Sequence, residues 1–246
     1  YRQPTLEACE IHSMSMEFFA WPWMESLFDD AKKYRLSHLE GAIKFLPYGV
    51  AVDEFQEAVY TNPNMTHAER CALWRDVEKK YLPIRNYRGA PYLENGGFWV
   101  RQGHIFSSPF YYIDYTLAQV VAFQFATEMW KNQERAWKKY VKLCKLGGRY
   151  PFVELLEKAK LRNPFIEGNV KRVITPLKRK LKELAATAER KALPPSVESL
   201  SESQFTILFP DIVISALLTS PDKRIALCCV FITLFPSIDA VVGFRM

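Results

Sequence analysis

The sequence predicts a mainly helical, all-α protein, and three observations carry that expectation. Glycine is scarce: the 246 residues hold ten, about 4% against a usual ~7%. Hydrophobic residues reach 49% and aromatics 14%, enough for a sizeable core and poorly suited to a turn-rich β-sandwich. Two S/T-x-x-E words, Ser37 to Glu40 and Thr66 to Glu69, precede runs with helical apolar spacing and read as helix starts. With 24% charged residues, the composition excludes a disordered acidic or basic tail protein. The length allows one large domain or two small ones.

Taken in order, Pro4-Thr5 opens the first helix with Thr5 as N-cap. The run from Leu6 to Trp21 is apolar almost all round, so burial on most sides is expected. Ser37-His-Leu-Glu40 is expected to open a second helix toward Tyr60, bent at Pro47. Thr66-His-Ala-Glu69 opens a third that stops before Pro83. Residues 83–108, rich in Gly, Asn, Pro and aromatics, read as a long ordered loop, and such loops carry function or short structure of their own. Ser108-Pro109 is expected to start the strongest helical segment, which runs with one break through Cys144 to the Gly147-Gly148 cap. A short helix from Pro151 to Lys160 ends at the Asn163-Pro164 turn, and a basic helix follows to about Lys191.

Residues 1–191 therefore form one unit, and 192–246 differ in character. Pro194-Pro195-Ser196 is a linker signal. Beyond it lie two apolar runs, around 205–218 and 225–235, each short of the ~20 residues that span a bilayer. This stretch reads either as a tail foreign to the main domain or as a membrane-associating or partner-bound hairpin. The net charge of +6 is uneven: 131–191 hold 18 Lys/Arg against 6 Asp/Glu, and 1–130 hold 12 against 16. A basic block could attract an anionic partner, but its charges alternate with apolar residues as on a solvated helix face. Five scattered cysteines without a CxxC suit a reduced, intracellular chain. A start at Tyr1, without methionine, reads as a fragment.

Candidate chemistry begins at Glu10 and Glu17. They are seven residues apart and share a helical stripe with Leu6, Ser13, Met14 and Trp21. Carboxylates on a buried stripe must be ion-paired with Lys or Arg or bound to metal. The four histidines are His12, His38, His67 and His104; no HExxH occurs and no two lie at a chelating interval. His38 reads as part of a capping box and His67 as exposed. His104 precedes Tyr111, Tyr112 and Tyr115, whose spacings of three and four place phenols on one side of a helix start. Such a set could donate hydrogen bonds to a developing oxyanion, or form an aromatic core cluster with hydroxyls at the surface. Asp114 reads equally as a helix-start acid.

Several unusual words in a fixed order resemble one family. They are Glu10-Ile-His-Ser-Met-Ser-Met-Glu17-Phe, the run from His38 to Gln56, Gly97-Phe-Trp99, His104 through Gln119, Leu146-Gly-Gly-Arg-Tyr-Pro-Phe152 and Asn163-Pro-Phe165. Over about residues 1–185 the chain resembles the C-terminal part of oligoendopeptidase F, a thimet-oligopeptidase-type zinc metallopeptidase. The resemblance implies an all-α fold enclosing a deep channel, a Zn2+ cofactor, short peptide substrates and a cytoplasmic location. No nucleic acid or membrane partner is implied.

By the same resemblance Glu10 matches the third zinc ligand, and Glu17 an acid that hydrogen-bonds behind the ligands. His104 matches a substrate-binding histidine. Tyr112 and Tyr115 match tyrosines that contact the peptide and stabilise the tetrahedral intermediate, with Tyr111 an alternative to Tyr112. The HExxH helix, with two ligands and the general base, is expected upstream of Glu10, so the chain alone is expected to be inactive. The other reading is a non-catalytic helical module that holds an anionic partner on its basic face.

Overall fold

A computed structural model describes residues 3–189. Its regular structure is helical, and no strand occurs among the described residues. The main helices are α1 (Leu6–Phe19), α2 (Ala31–Thr61), α3 (His67–Tyr81), α4 (Pro91–Glu94), α5 (His104–Ser107), α6 (Tyr112–Met129), α7 (Gln133–Leu146), α8 (Phe152–Ala159) and α9 (Asn169–Glu189). Short 3-10 turns at Trp21–Ser26, Gly97–Arg101 and Gly147–Arg149 join them. No described helix is long and apolar enough to cross a membrane. The tail at 192–246 lies outside the described residues.

The organising element is α6. Of its 18 residues, 12 are buried, and it packs against α1, α2, α7 and α9. Such all-round burial demands apolar residues on every side, which Ile113, Leu117, Val120, Val121, Phe123 and Phe125 supply. The 31 residues of α2 span about 46 Å at 1.5 Å each and connect two cores. Leu36, Leu39, Ile43 and Leu46 join the larger core with α1, α6, α7, α8 and α9. Val52, Phe55 and Val59 join the smaller core with Trp74, Val77 and Tyr81 of α3, and with Phe98, Trp99 and Ile105.

Gly49 allows α2 and α6 to cross closely. A Cβ there would stand 2.0 Å from Thr116 Oγ1, far inside van der Waals contact.

Helix ends follow local chemistry where that chemistry is complete. Thr66 and Glu69 form the expected capping box, each side chain meeting the other's backbone N–H. Gly147 caps α7, and Lys160 ends α8 in the left-handed conformation. The 83–108 stretch carries two short helices and a 3-10 turn of its own.

Three expectations are corrected. First, α2 starts at Ala31, not Ser37: Asp30 Oδ1 accepts from the Lys33 N–H over 3.0 Å and caps it. Ser37-x-x-Glu40 lies inside that helix, where the Ser37 N–H already has a backbone acceptor, and Glu40 pairs instead with Lys44 at 2.5 Å. Second, α6 begins at Tyr112 and leaves Pro109 in the preceding turn, because Phe110 takes a left-handed backbone (φ 61°). Its N–H donates to Gln56 Oε1 over 2.9 Å. Third, α1 buries one face, through Ala8, Ile11, Ser15, Phe18 and Phe19, while Leu6 and Met16 are 54% and 41% exposed.

The basic stretch resolves into amphipathic helices. Val170, Val173, Ile174, Leu177, Leu181 and Leu184 put a buried stripe on α9 at helical spacing. Lys180 pairs with Glu183 at 2.7 Å, and on α7 Lys138 pairs with Glu134 at 2.6 Å.

Candidate active site

The ends of α1 and α6 bring together residues a hundred positions apart. The Tyr111 hydroxyl donates to Glu10 Oε1, and Ser13 Oγ donates to Glu10 Oε2 over 2.9 Å. Two neutral hydroxyls therefore hold the carboxylate, not the Lys or Arg pairing that a buried stripe would require. Glu10 is half-buried and Glu17 exposed, so the stripe is wetter than expected. Burial pushes the Tyr111 phenol well above its ordinary range, with Glu10 and Tyr115 adding to the effect.

Tyr115 lies one turn further along α6, its ring 4.8 Å from that of Tyr111. The His104 ring meets Tyr112 at 5.0 Å, Tyr115 at 5.7 Å and Tyr111 at 6.2 Å. Glu10, His104, Tyr111, Tyr112 and Tyr115 thus make one cluster, as the sequence-derived candidates suggest. Burial, followed by Tyr48 and Tyr115, raises the Tyr112 phenol, so its hydroxyl stays a protonated donor across the neutral range. The roles of the two neighbouring tyrosines differ. Tyr111 points its hydroxyl at Glu10, and Tyr112 packs against His104, Tyr48 and Phe45.

Glu17 stands elsewhere. Its Oε2 accepts from His38 Nε2 over 2.9 Å, and His38 Nδ1 accepts from Trp21 Nε1 over 3.1 Å. Indole is only a donor, so Nδ1 carries no proton and the Nε2–H faces Glu17. His38 is therefore no part of a helix cap but ties the end of α1 to α2. His67 is exposed as expected, with Nε2 at 3.4 Å from Cys71 Sγ.

Two residues of the cluster, Tyr48 and Gln102, were not among the candidates drawn from the sequence. Gln102 lies between Tyr48, at 2.7 Å, and His104, at 2.8 Å. A single glutamine in a loop and a tyrosine 54 positions away share no spacing rule that could pair them.

A half-buried carboxylate held by hydroxyls keeps lone pairs for a cation, and oxygen suits zinc. Among the described residues, however, no group of three or more His, Cys, Asp or Glu side chains could hold a metal ion. This stretch offers one donor and does not by itself fit a closed metal centre.

Comparison with known proteins agrees with the words singled out above. No curated protein matches the chain. Among solved structures, one described as an oligoendopeptidase F is 62% identical, with a TM-score of 0.71, over 74% of this chain and 32% of that one. PZ peptidase A with an inhibitor is 56% identical, with a TM-score of 0.71, over 74% and 33%. An oligoendopeptidase F from Bacillus anthracis str. Ames is 50% identical, with a TM-score of 0.64, over 76% and 30%. The chain thus spans about a third of the length of these structures. The profile of peptidase family M3 matches residues 1–173, which takes in every helix that builds the cluster, and the chain belongs to peptidase family M3.

Proposed function

We propose that this stretch is part of the active site of a zinc metalloendopeptidase that hydrolyses short peptides. The observation that carries the reading is the convergence of Glu10, His104, Tyr112 and Tyr115 where α1 and α6 meet, in a chain of family M3. Glu10 is the one metal ligand this stretch supplies. Glu17 lies outside this cluster and, through His38, holds the end of α1. His104, Tyr112 and Tyr115 donate hydrogen bonds to a peptide carbonyl, and the donation strengthens as negative charge develops on that oxygen. Tyr111 keeps the Glu10 carboxylate oriented, which leaves Tyr112 and Tyr115 as the phenols that face substrate. Zinc, when bound, supplies Lewis-acid activation of water. Its other ligands and the general base belong to an HExxH, which these 246 residues do not contain. The cytoplasm is the proposed compartment, in keeping with the unpaired cysteines Cys9, Cys71 and Cys144.

Exchange into a relative tests the reading. Residues 3–189 would replace the corresponding third of the 62%-identical oligoendopeptidase F, and the chimera would be assayed for bound zinc and for cleavage of a quenched short peptide. Zinc retained near one per chain, with chelator-sensitive cleavage, is expected. Glu10→Gln in the chimera should lower zinc occupancy, and Tyr115→Phe should lower kcat while zinc stays bound. A chimera that folds and hydrolyses peptide equally well with Glu10→Gln would overturn the assignment. The chain on its own should neither bind zinc stoichiometrically nor cleave peptide.

A further inference from the structure

Two hydrogen bonds run from α2 to His104. The Tyr48 hydroxyl donates to Gln102 Oε1 over 2.7 Å, and Gln102 Nε2 lies 2.8 Å from His104 Nδ1. A glutamine amide has an accepting end and a donating end, so its orientation decides which ring nitrogen of His104 bears the proton. With the oxygen on Tyr48, the amide N–H faces Nδ1, and Nδ1 must be the unprotonated acceptor. The reversed amide would need Tyr48 as acceptor and a proton on Nδ1.

The surrounding charges oppose reversal. Arg85 and Arg101 both act electrostatically on the Tyr48 phenol. Both also lie over the Phe98 ring, at 4.8 and 5.1 Å, and that ring is 6.2 Å from the ring of Tyr48. Glu78 acts on Tyr48 in the opposite sense, but Arg75 pairs with it at 2.8 Å. The negative end of the amide dipole therefore lies toward the two arginines. On the other side, the amide N–H meets His104, whose ring lies 6.2 Å from that of Tyr111, the phenol bonded to the Glu10 carboxylate.

We propose that Tyr48 and Gln102 are positioning residues that fix His104 as its Nε2–H tautomer, so that the site presents a ring N–H beside the Tyr112 and Tyr115 hydroxyls. The ligand chemistry that matches three such donors is a carbonyl oxygen of a peptide backbone. The tautomer stands on the contacts above; only its use in holding a peptide oxygen rests on the proposed function.

Nitrogen-15 NMR of the full 246-residue chain, labelled at histidine, tests this directly. The chain has four histidines, and loss of one signal in His104→Gln assigns the fourth. Long-range proton–nitrogen correlations distinguish the two tautomers. The wild type should show His104 protonated on Nε2. In Gln102→Glu the carboxylate can only accept, so the proton should move to Nδ1. In Tyr48→Phe the amide is released, and a mixture of tautomers is expected. The exposed His67 should not change in any variant. Circular dichroism reports whether each variant folds, and the wild-type tautomer alone decides the matter if one does not. A wild-type His104 protonated on Nδ1, or a folded Gln102→Glu with an unchanged tautomer, would sink the proposal. An inactive chimera with the tautomer switch intact would refute the peptidase reading and leave the positioning roles standing.

Discussion

Gly49→Ala probes the crossing that sets the site. The added Cβ would lie 2.0 Å from Thr116 Oγ1, whereas ordinary contact begins at 3.4 Å, so about 1.4 Å must be found. Thr116 is fully buried and lies on the same helix as Tyr112 and Tyr115, and Tyr48 is the neighbour of Gly49. Overpacking of this kind costs about 1–3 kcal/mol, and at such a shortfall the upper end applies. Replacing glycine by alanine within a helix returns about 1 kcal/mol. The net loss is then about 2 kcal/mol, or a Tm lower by about 4–8 °C for a domain of this size.

Urea denaturation of the chain, in parallel with thermal melting, gives the figure. The double variant Gly49→Ala with Thr116→Ala removes the obstructing hydroxyl, so the two changes should couple favourably, by about 1 kcal/mol or more, in a double-mutant cycle. The pressure on α2 should also reach His104 through Tyr48 and Gln102, and broaden its ring-nitrogen signals. Wild-type stability in Gly49→Ala, or strict additivity of the pair, would refute the idea that this contact fixes the spacing of the two helices.

Three further outcomes are expected. Thr66→Ala removes the hydroxyl of a complete capping box and should cost about 1 kcal/mol, read as a shift of the urea midpoint at unchanged slope; no shift would mean the end of α3 is held by packing alone. Glu78 is fully buried, pairs with Arg75 and accepts from Tyr87, so Glu78→Ala should cost about 1–3 kcal/mol because Tyr87 loses its acceptor while Arg75 keeps Glu94 at 3.4 Å, and unchanged stability would contradict that accounting. Burial raises the Tyr48 phenol to about 12. Its protonated form therefore favours the folded state, and its contribution is full below the unfolded value of about 10 and disappears as pH rises through 12. The stability of wild type relative to Tyr48→Phe should accordingly fall between pH 10 and 12, and a flat difference would show that the phenol is not buried.

The division between what was legible in the chain and what was not follows the range of the forces involved. Capping at Thr66, the glycine stop after Leu146 and the stripe on α9 depend on residues within one or two turns, so spacing alone exposes them. The ordered words around Glu10 and His104 likewise identified the family, because they are local strings. Local rules failed where a distant partner decided. Gln56 takes the Phe110 N–H and delays the start of α6 past Pro109. The start of α2 is a different case: two local signals compete, and Asp30, bonded to the Lys33 N–H, claims it ahead of a plausible box at Ser37.

The residues of the candidate cluster were legible one by one, but not as a set of contacts. Tyr111 reaches Glu10 across 101 positions, His38 reaches Glu17 across 21, and Tyr48 reaches Gln102 across 54. Each of these bonds brings polar atoms of two separate segments within hydrogen-bonding distance. Burial of α6 on all sides and the lack of a side chain at Gly49 decide that approach, and no periodicity in the sequence encodes it.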